Sequence, residues 1–81
     1  MTFTVYTKSN CQQCVATKRL LDRRGVPYTT VDLDADASQI EVVKALGFTS
    51  APVVTVTDGT RTIDSWGGYR PDTIKELASI N

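Results

Sequence analysis

The chain has 81 residues, 41% of them hydrophobic and 22% charged, and its nine Lys and Arg balance nine Asp and Glu. That length suits one domain, residues 1–81, with an economical core that buries roughly 60% of the unfolded surface. The even charge balance argues against nucleic acid as a partner, and the apolar runs fall far short of the roughly 18 residues that a membrane span needs.

Thr2-Phe3-Thr4-Val5-Tyr6 alternates strand formers with a period of two and predicts the first strand. No basic segment followed by an apolar one precedes it, so no secretion signal is visible and a cytoplasmic location is expected. Thr7 to Asn10 is polar loop leading to Cys11. From Gln12 to about Arg24 no Pro or Gly interrupts, and Ala16, Leu20 and Leu21 supply an apolar stripe. Gly25, with Pro27 beyond it, then reads as a helix stop.

Tyr28 to Leu33 predicts the second strand, and Asp34, Asp36 and Ser38 are candidate N-caps for the segment that follows. Ser38 with Glu41 would form a capping box. Ile40, Val43 and Leu46 recur every three residues, predicting one core-facing helical face that ends at Gly47. A strand–helix–strand unit of this length implies a parallel pair with a right-handed crossover. Val53 to Val56 is a β-branched run, Asp58-Gly59 is a hairpin turn, and Arg61 to Trp66 pairs back. Gly67-Gly68 breaks that strand. Pro71 with Asp72 opens a last helix, from which Ile74, Leu77 and Ala78 face the core. The order is βαβαββα, an α/β chain with neither repeats nor a linker.

Two cysteines are too few for the disulfide framework of a small secreted domain. The absence of histidine removes Ser-His-Asp and Cys-His pairs, and His ligands for zinc. Cys11-Gln12-Gln13-Cys14 lies where the loop after the first strand becomes a helix. Cβ atoms three residues apart within a helix are about 5–6 Å apart, whereas a disulfide needs roughly 3.5–4.5 Å. Cys11, at the cap and outside helical geometry, can close that gap. The helix N-terminus also offers unpaired N–H groups and a positive dipole end that favour a thiolate, the attacking species in disulfide exchange. Cys11, at the outer end, is the expected nucleophile, and Cys14, one turn in, the expected resolving thiol. Lys8 either adds positive charge beside them or is a solvated loop lysine. The competing readings are two inert buried thiols, or half of a metal site that a second copy would complete. Lys18, Arg19, Arg23 and Arg24 on the first helix, and Asp32, Asp34 and Asp36 after the second strand, are solvated faces or steer a partner.

With this element order, with the motif after the first strand and with Ala51-Pro52 before the third, the chain resembles the thioredoxin/glutaredoxin superfamily over essentially its whole length. The resemblance implies a thioredoxin-like fold, a four-stranded mixed sheet flanked by three helices. It also implies that Pro52 is cis beside the cysteines and that Ala51 offers backbone groups to an incoming peptide or thiol. On the residues alone, a proline before a strand is often only an entry residue.

Within the superfamily the likeness is to the NrdH-redoxins, through Cys11-Gln12-Gln13-Cys14 followed by Val15-Ala16-Thr17-Lys18, Ala45-Leu46-Gly47-Phe48, Ala51-Pro52-Val53-Val54 and Trp66-Gly67-Gly68-Tyr69-Arg70-Pro71. Gly67 stands where that family usually has serine, Tyr69 where it has phenylalanine, and Ser50 where glutamine is frequent. The resemblance implies a cofactor-free monomer that takes electrons from thioredoxin reductase and passes them to ribonucleotide reductase or another protein disulfide. Lys8, Gln12, Gln13, Ala51, Pro52, Trp66, Gly67, Gly68, Tyr69 and Arg70 are then the expected partner-contacting residues, with no metal site. Trp66 and Tyr69 either meet the partner or pack the final helix, the packing role falling more to Tyr69. Glutathione-using glutaredoxins follow their Gly-Gly pair with an acidic segment, whereas here Tyr69-Arg70-Pro71 follows and Asp72 belongs to the helix. The alternatives are a glutathione-dependent glutaredoxin, or a module that binds metal or an iron–sulfur cluster between two copies.

Overall fold

The computed structural model describes the backbone of residues 1–80 and the side chains of residues 1–78. The elements run β1 (Thr2–Thr7), α1 (Gln12–Arg23), β2 (Tyr28–Asp32), α2 (Ser38–Ala45), β3 (Val53–Asp58), β4 (Arg61–Gly67) and α3 (Pro71–Ile80). They form one mixed sheet in the order β2-β1-β3-β4, with β1 parallel to β2 and antiparallel to β3, and β4 antiparallel to β3. Boundaries differ from the sequence expectation by small amounts: α1 and β2 each stop one residue early, and β3 reaches Asp58 because the hairpin ladder continues to its turn. Among the described residues no helix is long and apolar enough to cross a membrane.

Alternation in the strands becomes two faces once the register is set. Tyr28, Phe3 and Val56 form one cross-strand row, and Val5, Val54 and Trp66 form the next. Leu20 and Leu21 of α1, Val26 after it and Ile74 of α3 close over both rows, with Leu77 and Ala78 packed at the edge. A large apolar side chain taken fully out of water stabilises the fold by roughly 1.5–3 kcal/mol, so this layer is the principal core. Ile63 lies in β4 as the sequence predicts, but a register shift between Val56 and Thr57 leaves it without a ladder partner, and it is exposed.

The other face is covered more thinly. Val53 and Thr55 are buried there, but α2 has eight residues and buries only Val43. Ile40 and Leu46, expected on the core face, are each 38% exposed, because one short helix covers this side of the sheet where α1 and α3 share the other. The capping box is absent as well. Ser38 is the first residue of α2 and Ala37 is its cap residue, without a side-chain bond. Asp36 does the work instead, accepting from the backbone N–H and the hydroxyl of Ser38. An Asp two residues upstream mimics a turn and meets the exposed N–H groups at short range, a role that suits its side-chain length. Those bonds hold the Asp36 carboxyl below its ordinary pKa.

Candidate active site

Cys11 is the N-cap of α1, with extended backbone angles (φ −114°, ψ 100°), and its sulfur accepts the Cys14 backbone N–H at 3.1 Å. One of the unpaired donors of the first turn is thereby met by sulfur, where serine or aspartate usually serves. The cap geometry brings the two Cα atoms to 5.2 Å and the cysteines are joined as a disulfide, a separation within the ordinary disulfide range. Cys14 is 1% exposed while Cys11 is partly open to solvent, so Cys11 Sγ is the sulfur an incoming group can reach. No acidic residue lies in the first turn of α1, which leaves the positive end of the helix dipole directed at Cys11.

Three strand and loop elements converge on this helix start. The Ala51–Pro52 peptide bond is cis, as the resemblance implied, and Pro52 is buried. Gly68 donates its N–H to the Pro52 carbonyl at 2.8 Å, and Tyr69 donates its N–H to Gln13 Oε1 at 3.2 Å. The turn after β4 is thus bonded both to the cis-proline segment and to a residue between the two cysteines. Lys8, Gln12, Gln13, Ala51 and Gly68 line one open groove with Cys11. Gly67 pairs with Val53, and the space its missing Cβ would occupy is taken by the Phe48 ring, 3.1 Å away at Cδ1. Arg70 is exposed and its carbonyl accepts the Ile74 N–H at the start of α3.

Trp66 and Tyr69, both expected either to meet a partner or to pack the final helix, differ sharply in exposure. Trp66 is 2% exposed and lies in the core, so its ring cannot meet a partner; it supports the site from beneath. Strand alternation, with Val54 opposite, turns it inward. Its indole Nε1 has no hydrogen-bond partner among the described residues. Tyr69 is 39% exposed, because it sits in the turn beyond the strand.

Lys8 shares the groove with Cys11 and also faces Asp34, whose carboxylate accepts the Ser9 N–H at 2.7 Å. That bond, with a smaller contribution from Lys8, holds the Asp34 carboxyl below its ordinary pKa and ties the loop before Cys11 to the loop after β2. Two residues that the sequence marks only through the family likeness, with no role at the site, take part in it. Thr17 is fully buried and its hydroxyl donates to the Gln13 carbonyl at 2.8 Å, bracing the turn that carries Cys14. Phe48 follows α2 in sequence, and nothing local to it signals a contact with Gly67. Among the described residues no group of three or more His, Cys, Asp or Glu is placed to hold a metal.

The glutaredoxin family profile matches residues 3–61. The glutaredoxin-like protein NrdH of Salmonella typhimurium is 40% identical over 77 residues, covering 95% of this chain and 89% of that protein. The glutaredoxin-like protein NrdH of Lactococcus lactis subsp. cremoris is 33% identical over 75 residues, 93% of this chain and 97% of its own. Among solved structures, the NrdH-redoxin of Escherichia coli, described as a glutaredoxin-like protein with a thioredoxin-like activity profile, superposes with a TM-score of 0.84 at 39% identity over 95% of each chain. With a cysteine pair capping the first helix of a thioredoxin-like fold, the chain belongs to the glutaredoxin family and, within it, to the NrdH-type thiol–disulfide oxidoreductases.

Proposed function

We propose that this single domain is a monomeric, cytoplasmic electron carrier that takes electrons from thioredoxin reductase and reduces the disulfide of ribonucleotide reductase, in support of deoxyribonucleotide synthesis. The observation that carries the chemistry is the unequal exposure of the pair, Cys11 open on the helix cap and Cys14 buried beneath it. In the reduced protein the Cys11 thiolate attacks one sulfur of the target disulfide, whose other sulfur leaves as a thiolate and takes a proton. Cys14, as a thiolate, then attacks Cys11 Sγ in the mixed disulfide. The second target thiol departs, and the Cys11–Cys14 bond remains. Two electrons have passed to the target, and the flavin-linked reductase restores them. Ala51, beside the cis proline and in the groove with Cys11, presents its backbone to the incoming chain.

The choice of reductant rests on the turn after β4. Residues 69–71 carry no acid, the Tyr69 N–H is already committed to Gln13, and Asp72 lies in the first turn of α3. A glutathione amino group would find no carboxylate at the turn itself. The test is insulin-disulfide reduction with NADPH and either thioredoxin reductase or glutathione with its reductase. Activity with thioredoxin reductase is expected. Activity with the glutathione system alone would favour the glutathione-dependent reading.

A further inference from the structure

Farther along α1 from the redox pair, a shallow cleft is lined by Ala16, Arg19, Leu20, Arg23 and Tyr69. Its floor is small and apolar, and its rim carries two guanidinium groups and a phenol. Arg19 and Arg23 are four residues apart, so they project from one face of the helix and repel each other. The helix has one acid, Asp22, which lies beside the Tyr28 side chain, whose pKa is raised by burial and then by Asp22. Among the described residues the ion pair is Lys44–Glu41, far along the chain from this cleft, and neither Arg19 nor Arg23 has one. The cleft is joined to the redox site through Tyr69, whose backbone N–H is held by Gln13 between the two cysteines.

We propose that this cleft is a docking subsite for the side-chain carboxylate of an acidic residue of the target protein, on the same segment as the cysteine that Cys11 attacks. The reading rests on disulfide exchange at Cys11. Guanidinium pairs suit a planar carboxylate, and the apolar floor accommodates the methylenes next to it. Eight residues of helix separate Cys11 from Arg19, an axial distance of about 12 Å at about 1.5 Å per residue. An extended peptide advances about 3.3 Å per residue, which places the carboxylate about four or five residues from the attacked cysteine.

The test uses the pre-reduced, full-length protein and symmetric disulfides of single-cysteine peptides, with thiol release followed over time. One peptide carries Glu four residues from its cysteine and a C-terminal amide. A second carries Gln there, and a third keeps Gln but ends at that point in a free carboxylate. At low salt the Glu peptide should react about 1.5- to fivefold faster than the Gln amide, the scale of exposed charge pairs. An advantage for the free-carboxylate peptide with none for the Glu peptide would overturn the side-chain assignment. The Glu peptide's advantage should collapse toward one in the Arg19→Ala/Arg23→Ala double variant and persist in Arg61→Ala, at the distant β3–β4 turn. Equal rates for all peptides with the wild-type protein, or an advantage undiminished in the double variant, would overturn the subsite while leaving exchange at Cys11 intact. Failure to reduce any of the peptides would instead remove the exchange reading and the subsite with it.

Discussion

Two adjacent glycines at the site should respond unequally to the same substitution. Gly67 is the last residue of β4 and its φ lies outside the left-handed region, so alanine suits its backbone. The added Cβ would meet Phe48 Cδ1 at 3.1 Å, a few tenths of an ångström too close. Phe48 is only partly buried and lines an open groove beside α2, so the ring has room to yield. Against that small cost stands a gain of about 0.4–1 kcal/mol from a less flexible unfolded chain. Gly67→Ala should therefore change stability by less than about 1 kcal/mol, in either direction. Gly68 has φ +81°, where a Cβ costs about 1–2 kcal/mol, and its N–H holds Pro52 in place. Since about 1 kcal/mol moves Tm by roughly 4–8 °C in a domain of this size, Gly68→Ala should lower Tm by roughly 4–16 °C while Gly67→Ala shifts it by less than about 4–8 °C in either direction. Thermal melts of the oxidised proteins by circular dichroism decide it. A Gly67→Ala loss equal to or larger than that of Gly68→Ala would refute this reasoning, since it would mean that Phe48 cannot move.

Asp34 has a lowered pKa through its bond to Ser9, so its contribution is present above the unfolded carboxylate pKa and is lost as pH falls through the lower folded value. Melts across the acidic range should show a shallower decline in Asp34→Asn than in the wild type. Tyr28 has a raised pKa, first from burial and then from Asp22, so its contribution is complete below the unfolded tyrosine value and fades as pH rises through the folded one. Alkaline titration by phenolate absorbance should find one late-titrating tyrosine that disappears in Tyr28→Phe. Thr17→Val keeps the buried shape but loses the bond to the Gln13 carbonyl, and should cost about 0.5–1.5 kcal/mol in denaturant unfolding.

What was readable from the sequence follows from how locally each feature is determined. The alternation of β1 and Pro71 at a helix start are each written in adjacent residues, and each element appears where those residues put it; the Asp58-Gly59 signal finds the hairpin, but Asp58 still pairs with Arg61 and the turn is Gly59-Thr60. The cysteine spacing and its place at a helix start are equally local, and the cap geometry that lets the pair close was deducible from them. Features that depend on the amount of covering structure were not. The period of Ile40, Val43 and Leu46 is real, but only the tertiary arrangement determines that α2 lies alone on its face and leaves two of the three exposed. The burial of Trp66 and the exposure of Tyr69 depend on where β4 ends: Trp66 still alternates inward, whereas Tyr69 lies beyond the strand. The bond between Tyr69 and Gln13 joins residues 56 apart, and no local pattern announces it.

The central claim is that Cys11 makes the first covalent bond to the target and Cys14 releases it. In Cys14→Ser, reduced and then mixed with oxidised insulin, the release step is missing, and the mixed disulfide should accumulate. Non-reducing peptide mapping by mass spectrometry should find the insulin cysteine joined to Cys11. If no adduct forms, or if Cys11→Ser instead traps insulin on Cys14 as efficiently, the assigned roles are contradicted.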